Sequence, residues 1–169
     1  MICSAKYRNI EVQLCQMNDV LDVLQKELHL AKSFRVHLLN AFGLSLISKN
    51  HRMLKCVENS NLVLADGFPV LWLCQKRIHK HTTLRGSDIL RSVLSDSRFQ
   101  SSRHLFIGGS TSDRGKIMSH IESFGLEAGL VKLISPPYSD EGSIFQSLPW
   151  TTIQQFSPQF VWIGLGTPK

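Results

Sequence analysis

The chain of 169 residues is long enough for one domain that buries about 70% of the surface its unfolded form would expose. Hydrophobic residues make up 43% of it and charged residues 19%, which is an ordinary composition for a soluble protein, and it contains no low-complexity tract. No apolar run approaches the ~20 residues that cross a bilayer, and the N-terminus lacks the apolar core of a signal peptide. We therefore expect a cytoplasmic protein.

The formal net charge is +6, and much of the positive charge lies in one segment. Lys76, Arg77, Lys80 and Arg85 fall within ten residues. Such a cluster suits the phosphate groups of a nucleotide, a nucleic acid or an anionic lipid. It is equally compatible with a solvated basic loop, and the sequence leaves both interpretations open.

Cysteines and histidines give no sign of a metal site. The four cysteines lie far apart and fit no Cys-x-x-Cys pattern, so we expect neither a disulfide nor a zinc site. His79 and His81 lie close together without the further ligands that a metal site needs. We interpret them as part of a solvated loop.

Apolar periodicity and turn residues predict helices and strands that alternate along the chain. The predicted elements, in chain order, are a helix over 18–33, a strand over 34–40, a helical connection over 41–60, a strand over 62–65, helices over 69–75 and from Ser87, a strand over 104–108, a helix ending near Gly125, a strand over 130–135, a helix broken at Pro149 and a strand over 160–164. This alternation predicts an α/β fold, a Rossmann-like parallel sheet of about five strands with helices on both faces. Since no Pro/Gly/Ser-rich linker interrupts it, we expect a single domain over residues 1–169.

Polar, glycine or proline residues follow each predicted strand. They are Asn40, Asp66-Gly67, and the segments 108–111, 136–138 and 164–169. In an open parallel sheet, ligands bind beyond the carboxyl ends of the strands, so all five would line the same edge. Each alone is explained by the ordinary way in which strands end. Their convergence favours a binding site.

The glycine turn "FIGGSTSDRGK" resembles a phosphate-binding loop without matching a known motif. Five residues separate Gly109 from Gly115 where a P-loop has four, and Ile117 stands where Ser or Thr would bind magnesium. The turn is not a Gly-x-Gly-x-x-Gly fingerprint either. A strand, a small-residue turn and a helix N-terminus remain, which can bind phosphate through free backbone N–H groups.

Asp66 interrupts an apolar segment, "NSNLVLADGFPVLW", that otherwise looks buried. An unpaired charge is costly to bury. Asp66 is therefore either a cap of the next helix or a working group at the end of a strand.

Several of these segments resemble a known family. The segments "LADGFPVLW", "GSDIL", "LFIGGS", "PPYSD" and "FVWIGLGTPK" are similar to successive signature segments of the WecG/TagA/CpsF glycosyltransferases, over about residues 34–169. The resemblance implies transfer of N-acetylmannosamine or a related sugar from a UDP-sugar to a polyprenyl-diphosphate-linked acceptor, in the synthesis of cell-wall and other cell-surface polysaccharides. It also implies an enzyme at the cytoplasmic face of the membrane, bound there peripherally.

The resemblance assigns roles to individual residues. Asp66 matches the proposed general base of an inverting transfer, and Asn40 matches a substrate contact. The strand ends and the resemblance together predict these substrate-binding residues: Asn40, Arg85, Gly108, Gly109, Ser110, Tyr138, Gly164, Gly166 and Thr167. No Asp-x-Asp motif is present, and the resemblance implies a reaction without metal or cofactor.

The chain departs from the family pattern at three places. Leu38 stands where the family usually has threonine, and Thr83 stands where it often has arginine, with Arg85 next to the glycine instead. The family also continues beyond the position of Lys169, so we expect a domain truncated at its C-terminus. A catalytically impaired nucleotide-sugar-binding domain is therefore the alternative. Nucleic-acid binding would rest on net charge alone, and we do not expect it.

Overall fold

The computed structural model describes residues 2–7, 9–30, 32–74 and 83–165. The chain divides into two compact units, Met1–Val93 and Leu94–Lys169, and each is described by itself. Several residues singled out in the sequence lie outside the described residues: Lys76, Arg77, His79, Lys80, His81, Gly166 and Thr167.

The first unit contains a four-stranded mixed sheet. Its strands are β1 (Cys3–Tyr7), β2 (Ile10–Leu14), β3 (Val36–Leu39) and β4 (Leu62–Ala65), in the order β1-β2-β4-β3. The β1 and β2 strands form an antiparallel hairpin, whereas β4 is parallel to both β2 and β3. Every residue of β4 is buried, which explains its continuous apolar sequence, Leu-Val-Leu-Ala.

The described part of this unit also contains the helices α1 (Met17–His29), α2 (Ala41–Ile47), α3 (His51–Glu58), α4 (Phe68–Cys74) and α5 (Gly86–Ser95). The connection over 41–60 is two helices because the side chain of Asn50 caps α3, accepting a hydrogen bond from the Met53 N–H at 3.1 Å. The core combines alternate residues of β2 with residues of β3, β4 and the helices: Ile10, Val12, Leu14, Leu39, Leu44, Ile47, Val57, Val63, Ala65, Val70 and Leu71.

The second unit contains a three-stranded parallel sheet. Its strands are β5 (His104–Gly108), β6 (Val131–Ile134) and β7 (Phe160–Gly164), with β5 in the centre. The helices are α6 (Arg114–Glu122), α7 (Glu141–Ser147) and α8 (Trp150–Phe156), and short 3-10 helices cover Thr111–Asp113 and Ala128–Leu130. On one face of β5, Leu105 and Ile107 pack with Ile153 of α8. On the other, His104 and Phe106 stack on the rings of β7.

The predicted α/β class with parallel strands and a roughly Rossmann-like arrangement is confirmed. The described residues contain seven strands in two sheets, rather than the predicted single sheet of about five strands. The two missing strands are the N-terminal hairpin. Its strand β2 alternates apolar and polar residues, and Ile10, Val12 and Leu14 are buried while Glu11 is exposed. This period-2 pattern is the signal that identifies a half-buried strand.

Candidate functional site

Asn40 and Asp66 lie at the same edge of the first sheet. The parallel strands β3 and β4 are in register so that Leu39 pairs with Ala65, and Asn40 and Asp66 are the next residue on each strand. The Asp66 N–H donates a hydrogen bond to the Leu39 carbonyl oxygen at 2.9 Å, which ties the two strand ends together. Both side chains are half-buried.

Asn40 caps α2. Its Oδ1 atom accepts a hydrogen bond from the Gly43 N–H at 2.7 Å, which satisfies one of the free donors in the first turn of the helix. This bond fixes the orientation of the side-chain amide. The NH2 group of the amide is therefore the part of Asn40 that can donate to a ligand.

Asp66 differs from Asn40 because its side chain caps no helix among the described residues. It is followed by Gly67, whose φ of +94° turns the chain sharply before α4 begins at Phe68. Among the described residues, none forms a hydrogen bond or an ion pair with the Asp66 carboxylate. The capping interpretation of Asp66 therefore has no hydrogen bond to support it within the described chain, and a half-buried carboxylate remains available as a proton acceptor.

Arg85 and the start of α5 lie close to the same two strand ends. The Leu84 N–H donates to the Ala65 carbonyl oxygen at 3.3 Å, directly before Asp66. Gly86 lies so near β3 that an added Cβ atom would be 2.8 Å from Leu38 Cδ1. The first unit therefore brings Asn40, Asp66 and the backbone of Arg85 to one edge, with the Arg85 side chain exposed.

In the second unit, two of the predicted glycines meet at the carboxyl edge of its sheet. Gly108 of β5 pairs with Gly164 of β7, and a Cβ atom on Gly108 would overlap the Gly164 carbonyl oxygen. The Ser135 hydroxyl, directly after β6, donates to the Gly108 carbonyl oxygen at 3.4 Å. Gly108 is thus explained by close packing of two strands. Gly109, with φ of +73°, is exposed beyond them.

Ser110 and Asp113 form a compact polar cluster at the glycine turn. The Ser110 Oγ atom accepts a hydrogen bond from the Asp113 N–H at 3.2 Å, and its hydroxyl donates to Asp113 Oδ2 at 2.5 Å. Sequence reasoning predicted phosphate binding here and overlooked the Asp113 carboxylate, which is exposed at the same turn. The Ser-x-x-Asp spacing at a helix N-terminus is the signal that would have identified it.

The loop after β6 carries Tyr138, a predicted substrate-binding residue, and the carboxylate of Asp140. Tyr138 is 96% exposed. Asp140 caps α7, because its Oδ1 atom accepts from the Ser143 N–H at 3.0 Å and its Oδ2 atom from the Ser143 hydroxyl at 2.7 Å. These hydrogen bonds lower the pKa of Asp140 below its usual range. The Asp140 carboxylate therefore serves as a helix cap, and its lowered pKa makes it a weaker proton acceptor.

The described ranges contain neither a cluster of metal ligands nor a helix that could span a membrane. In them, no group of three or more His, Cys, Asp or Glu side chains is arranged to hold a metal ion. None of the described helices is long and apolar enough to cross a membrane.

Comparison with family models shows which family the chain belongs to. No curated protein matches the chain in sequence. The family model of the glycosyl transferase WecG/TagA/CpsF family matches residues 5–169, which spans both compact units and nearly the whole chain. The matched range includes every candidate residue of both sheet edges. The chain belongs to the WecG/TagA/CpsF family of glycosyltransferases.

Proposed function

We propose that the protein transfers N-acetylmannosamine or a related sugar from a UDP-sugar to a polyprenyl-diphosphate-linked acceptor, with inversion at the anomeric carbon and without a metal ion. Family membership supports the general part of this proposal: the chain is a glycosyltransferase of cell-surface polysaccharide synthesis, a class that uses nucleotide-sugar donors and lipid-linked acceptors. The sugar, the UDP group and the polyprenyl carrier are the specific part.

Asp66 carries the proposal. An inverting transfer needs one base that removes the proton from the acceptor hydroxyl while the oxygen attacks the anomeric carbon. The new bond forms from this oxygen to the sugar, the bond from the sugar to the UDP oxygen breaks, and the proton passes to Asp66. The half-buried position of Asp66, and the absence of a described hydrogen-bonding partner for its carboxylate, support this role.

Positive and polar groups would stabilise the departing diphosphate. We propose that Arg85 serves as one of these groups, since it lies at the N-terminus of α5 next to the strand ends. Asn40 would orient a substrate through its NH2 group. The substrate-binding role extends in this proposal to the second unit, with Gly108, Gly109, Ser110, Tyr138, Gly164, Gly166 and Thr167.

The same proposal includes a single glycosyltransferase domain over residues 1–169 and a location at the cytoplasmic face of the membrane. The alternative is a nucleotide-sugar-binding domain with impaired catalysis. Leu38 favours it, because an apolar side chain at the site edge replaces the threonine usual in the family and packs against Gly86. A binding domain has no need of a base, so the two functions differ in whether turnover occurs.

A transfer assay tests the proposed function. The protein is incubated with UDP-sugars that differ in the sugar and with a short-chain polyprenyl-diphosphate-linked acceptor, and the product is identified by mass spectrometry. We expect one UDP-N-acetylhexosamine to give a product larger than the acceptor by one sugar, in the presence of EDTA. Binding of a UDP-sugar without any product would favour the alternative. If the protein neither binds a UDP-sugar nor forms a product, both functions are contradicted.

A further inference from the structure

A proline stands at the position from which a cap of α4 would take its hydrogen bond. The Asn, Ser and Asp side chains that cap helices in the described part of the chain accept from the backbone N–H of the third residue along. These donors are Gly43 for Asn40, Met53 for Asn50, Asp113 for Ser110 and Ser143 for Asp140. The third residue after Asp66 is Pro69, and proline has no backbone N–H. Asp66 therefore lacks the donor that the other caps use.

The start of α4 lies one residue further from its strand than the start of α2. In α2 the carbonyl oxygen of Asn40 accepts from the Leu44 N–H at 2.8 Å, so the helix begins directly after the strand end. In α4 the corresponding hydrogen bond runs from the Leu71 N–H to the Gly67 carbonyl oxygen, at 3.4 Å. Gly67, which has no side chain, therefore occupies the capping position in place of Asp66.

Pro69 causes the helix itself no loss. Its side chain is exposed, and it lies in the first turn of α4, where backbone N–H groups have no partner within the helix. The ring fixes a φ that suits this turn, and the missing N–H removes no internal hydrogen bond. The missing donor affects Asp66 instead, whose carboxylate has no hydrogen bond or ion pair among the described residues.

Hydrogen bonds at a helix start change the chemistry of a carboxylate. Asp140 accepts from both the N–H and the hydroxyl of Ser143, and these bonds lower the pKa of Asp140. A carboxylate held in this way binds a proton less readily and is a weaker general base. A carboxylate without such bonds is able to accept a hydrogen bond from a substrate hydroxyl.

We propose that Pro69 is a positioning residue for the transfer reaction. By withholding the N–H that would make Asp66 a cap of α4, it leaves the carboxylate free to take the proton of the acceptor hydroxyl. This inference rests on the proposed function, because it takes Asp66 as the base. The two strand ends of the first unit then have different tasks: the helix after Asn40 fixes an amide, and the helix after Asp66 leaves a carboxylate unoccupied.

Coupling between positions 66 and 69 tests the proposal without any sugar transfer. Pro69→Ala supplies an N–H that the Asp66 carboxylate can accept. In urea denaturation, Asp66→Ala should lower the midpoint in the Pro69→Ala background, because it removes a cap, and should not lower it in the wild-type background. In NMR hydrogen exchange, the new N–H at position 69 should exchange about tenfold more slowly in Pro69→Ala than in Pro69→Ala/Asp66→Ala.

Transfer kinetics test the consequence for the base. Pro69→Ala should lower kcat about tenfold, leave the Kd for the UDP-sugar unchanged, and have no further effect on kcat in the Asp66→Asn background. Pro158→Ala, which replaces a half-buried proline outside the helices of the second unit, is the control and should transfer at the wild-type rate.

Two results would overturn the proposal: no coupling between positions 66 and 69, or an unchanged kcat in Pro69→Ala. Coupling in a protein whose wild type transfers no sugar would leave the effect of Pro69 on Asp66 standing and contradict only the proposed function.

Discussion

Three polar residues that follow strands cap a helix through their side chains, whereas Asp66 does not. Asn40, Ser110 and Asp140 each accept a hydrogen bond from the backbone at the start of a helix. Asp66 stands at an equivalent position, and its carboxylate accepts none from the described residues. This contrast distinguishes Asp66 from the three caps, which the sequence alone does not do, because Asn, Ser and Asp are all good caps.

The buried side chain of His104 should make the stability of the protein depend on pH. The side chain is fully buried, Trp162 Nε1–H donates to its Nδ1 atom at 3.2 Å, and Nε2 lies 3.3 Å from the Phe99 carbonyl oxygen. Burial lowers its pKa, and it lowers the pKa of His37 on β3 in the same direction. The unfolded chain therefore binds more protons than the folded one as pH falls below about 6.5.

We expect the free energy of unfolding to be level above that pH and to fall below it. The slope is at most about 1.4 kcal/mol per pH unit for each of the two histidines. Urea titrations at pH 8.0, 6.5 and 5.5 measure this dependence. His104→Phe should retain only the smaller slope that His37 causes. An unchanged slope in that variant would show that His104 is not the group responsible.

Among the elements, continuous apolar strands were predictable and the hairpin was not. The β4, β5 and β7 strands were predicted within their observed bounds, because buried parallel strands give unbroken apolar runs. The β1 and β2 strands mix polar and apolar residues, and this weaker period-2 signal was overlooked. Strand order makes β3 and β4 neighbours and so brings Asn40 close to Asp66, and tertiary packing brings Gly86 close to Leu38. Local sequence determines neither the strand order nor this packing.

The glycine turn gives a prediction about stability. Gly108→Ala should lower the free energy of unfolding by about 2–4 kcal/mol, because φ is +141° there and the methyl group would overlap the Gly164 carbonyl oxygen. Gly115→Ala, in α6 with open space around its Cα atom, should raise it by up to about 1 kcal/mol. Chemical denaturation of both variants checks the pair. Equal stability of the two would contradict the β5–β7 packing described above.

The same turn gives a prediction about donor binding. If UDP phosphates lie near residues 108–112, the Asp113 carboxylate repels them, and Asp113→Asn should bind UDP about three- to tenfold more tightly. Isothermal titration calorimetry measures this affinity. Glu122→Gln, at the far end of α6, is the control and should leave the affinity unchanged. An unaltered affinity in Asp113→Asn would place the phosphates away from this turn.

For the molecule as a whole, positive charge, family and fold point to one activity. The family model covers both compact units, and each unit presents candidate residues at the carboxyl edge of its own sheet. A net charge of +6 suits a protein whose proposed substrates both carry diphosphate groups. The central claim is that Asp66 is the base of a glycosyl transfer.

The most direct test of this claim compares the wild-type protein with Asp66→Asn. Two quantities are measured for each protein, the steady-state rate of sugar transfer and the affinity for the UDP-sugar donor. Asn preserves the size of the side chain and can still accept a hydrogen bond, so folding should be unaffected. We predict that the substitution lowers the transfer rate about 10²–10⁴-fold and leaves the Kd for the UDP-sugar nearly unchanged. The control Asp140→Asn keeps the cap of α7 and should transfer at the wild-type rate. Transfer by Asp66→Asn at the wild-type rate would contradict the account.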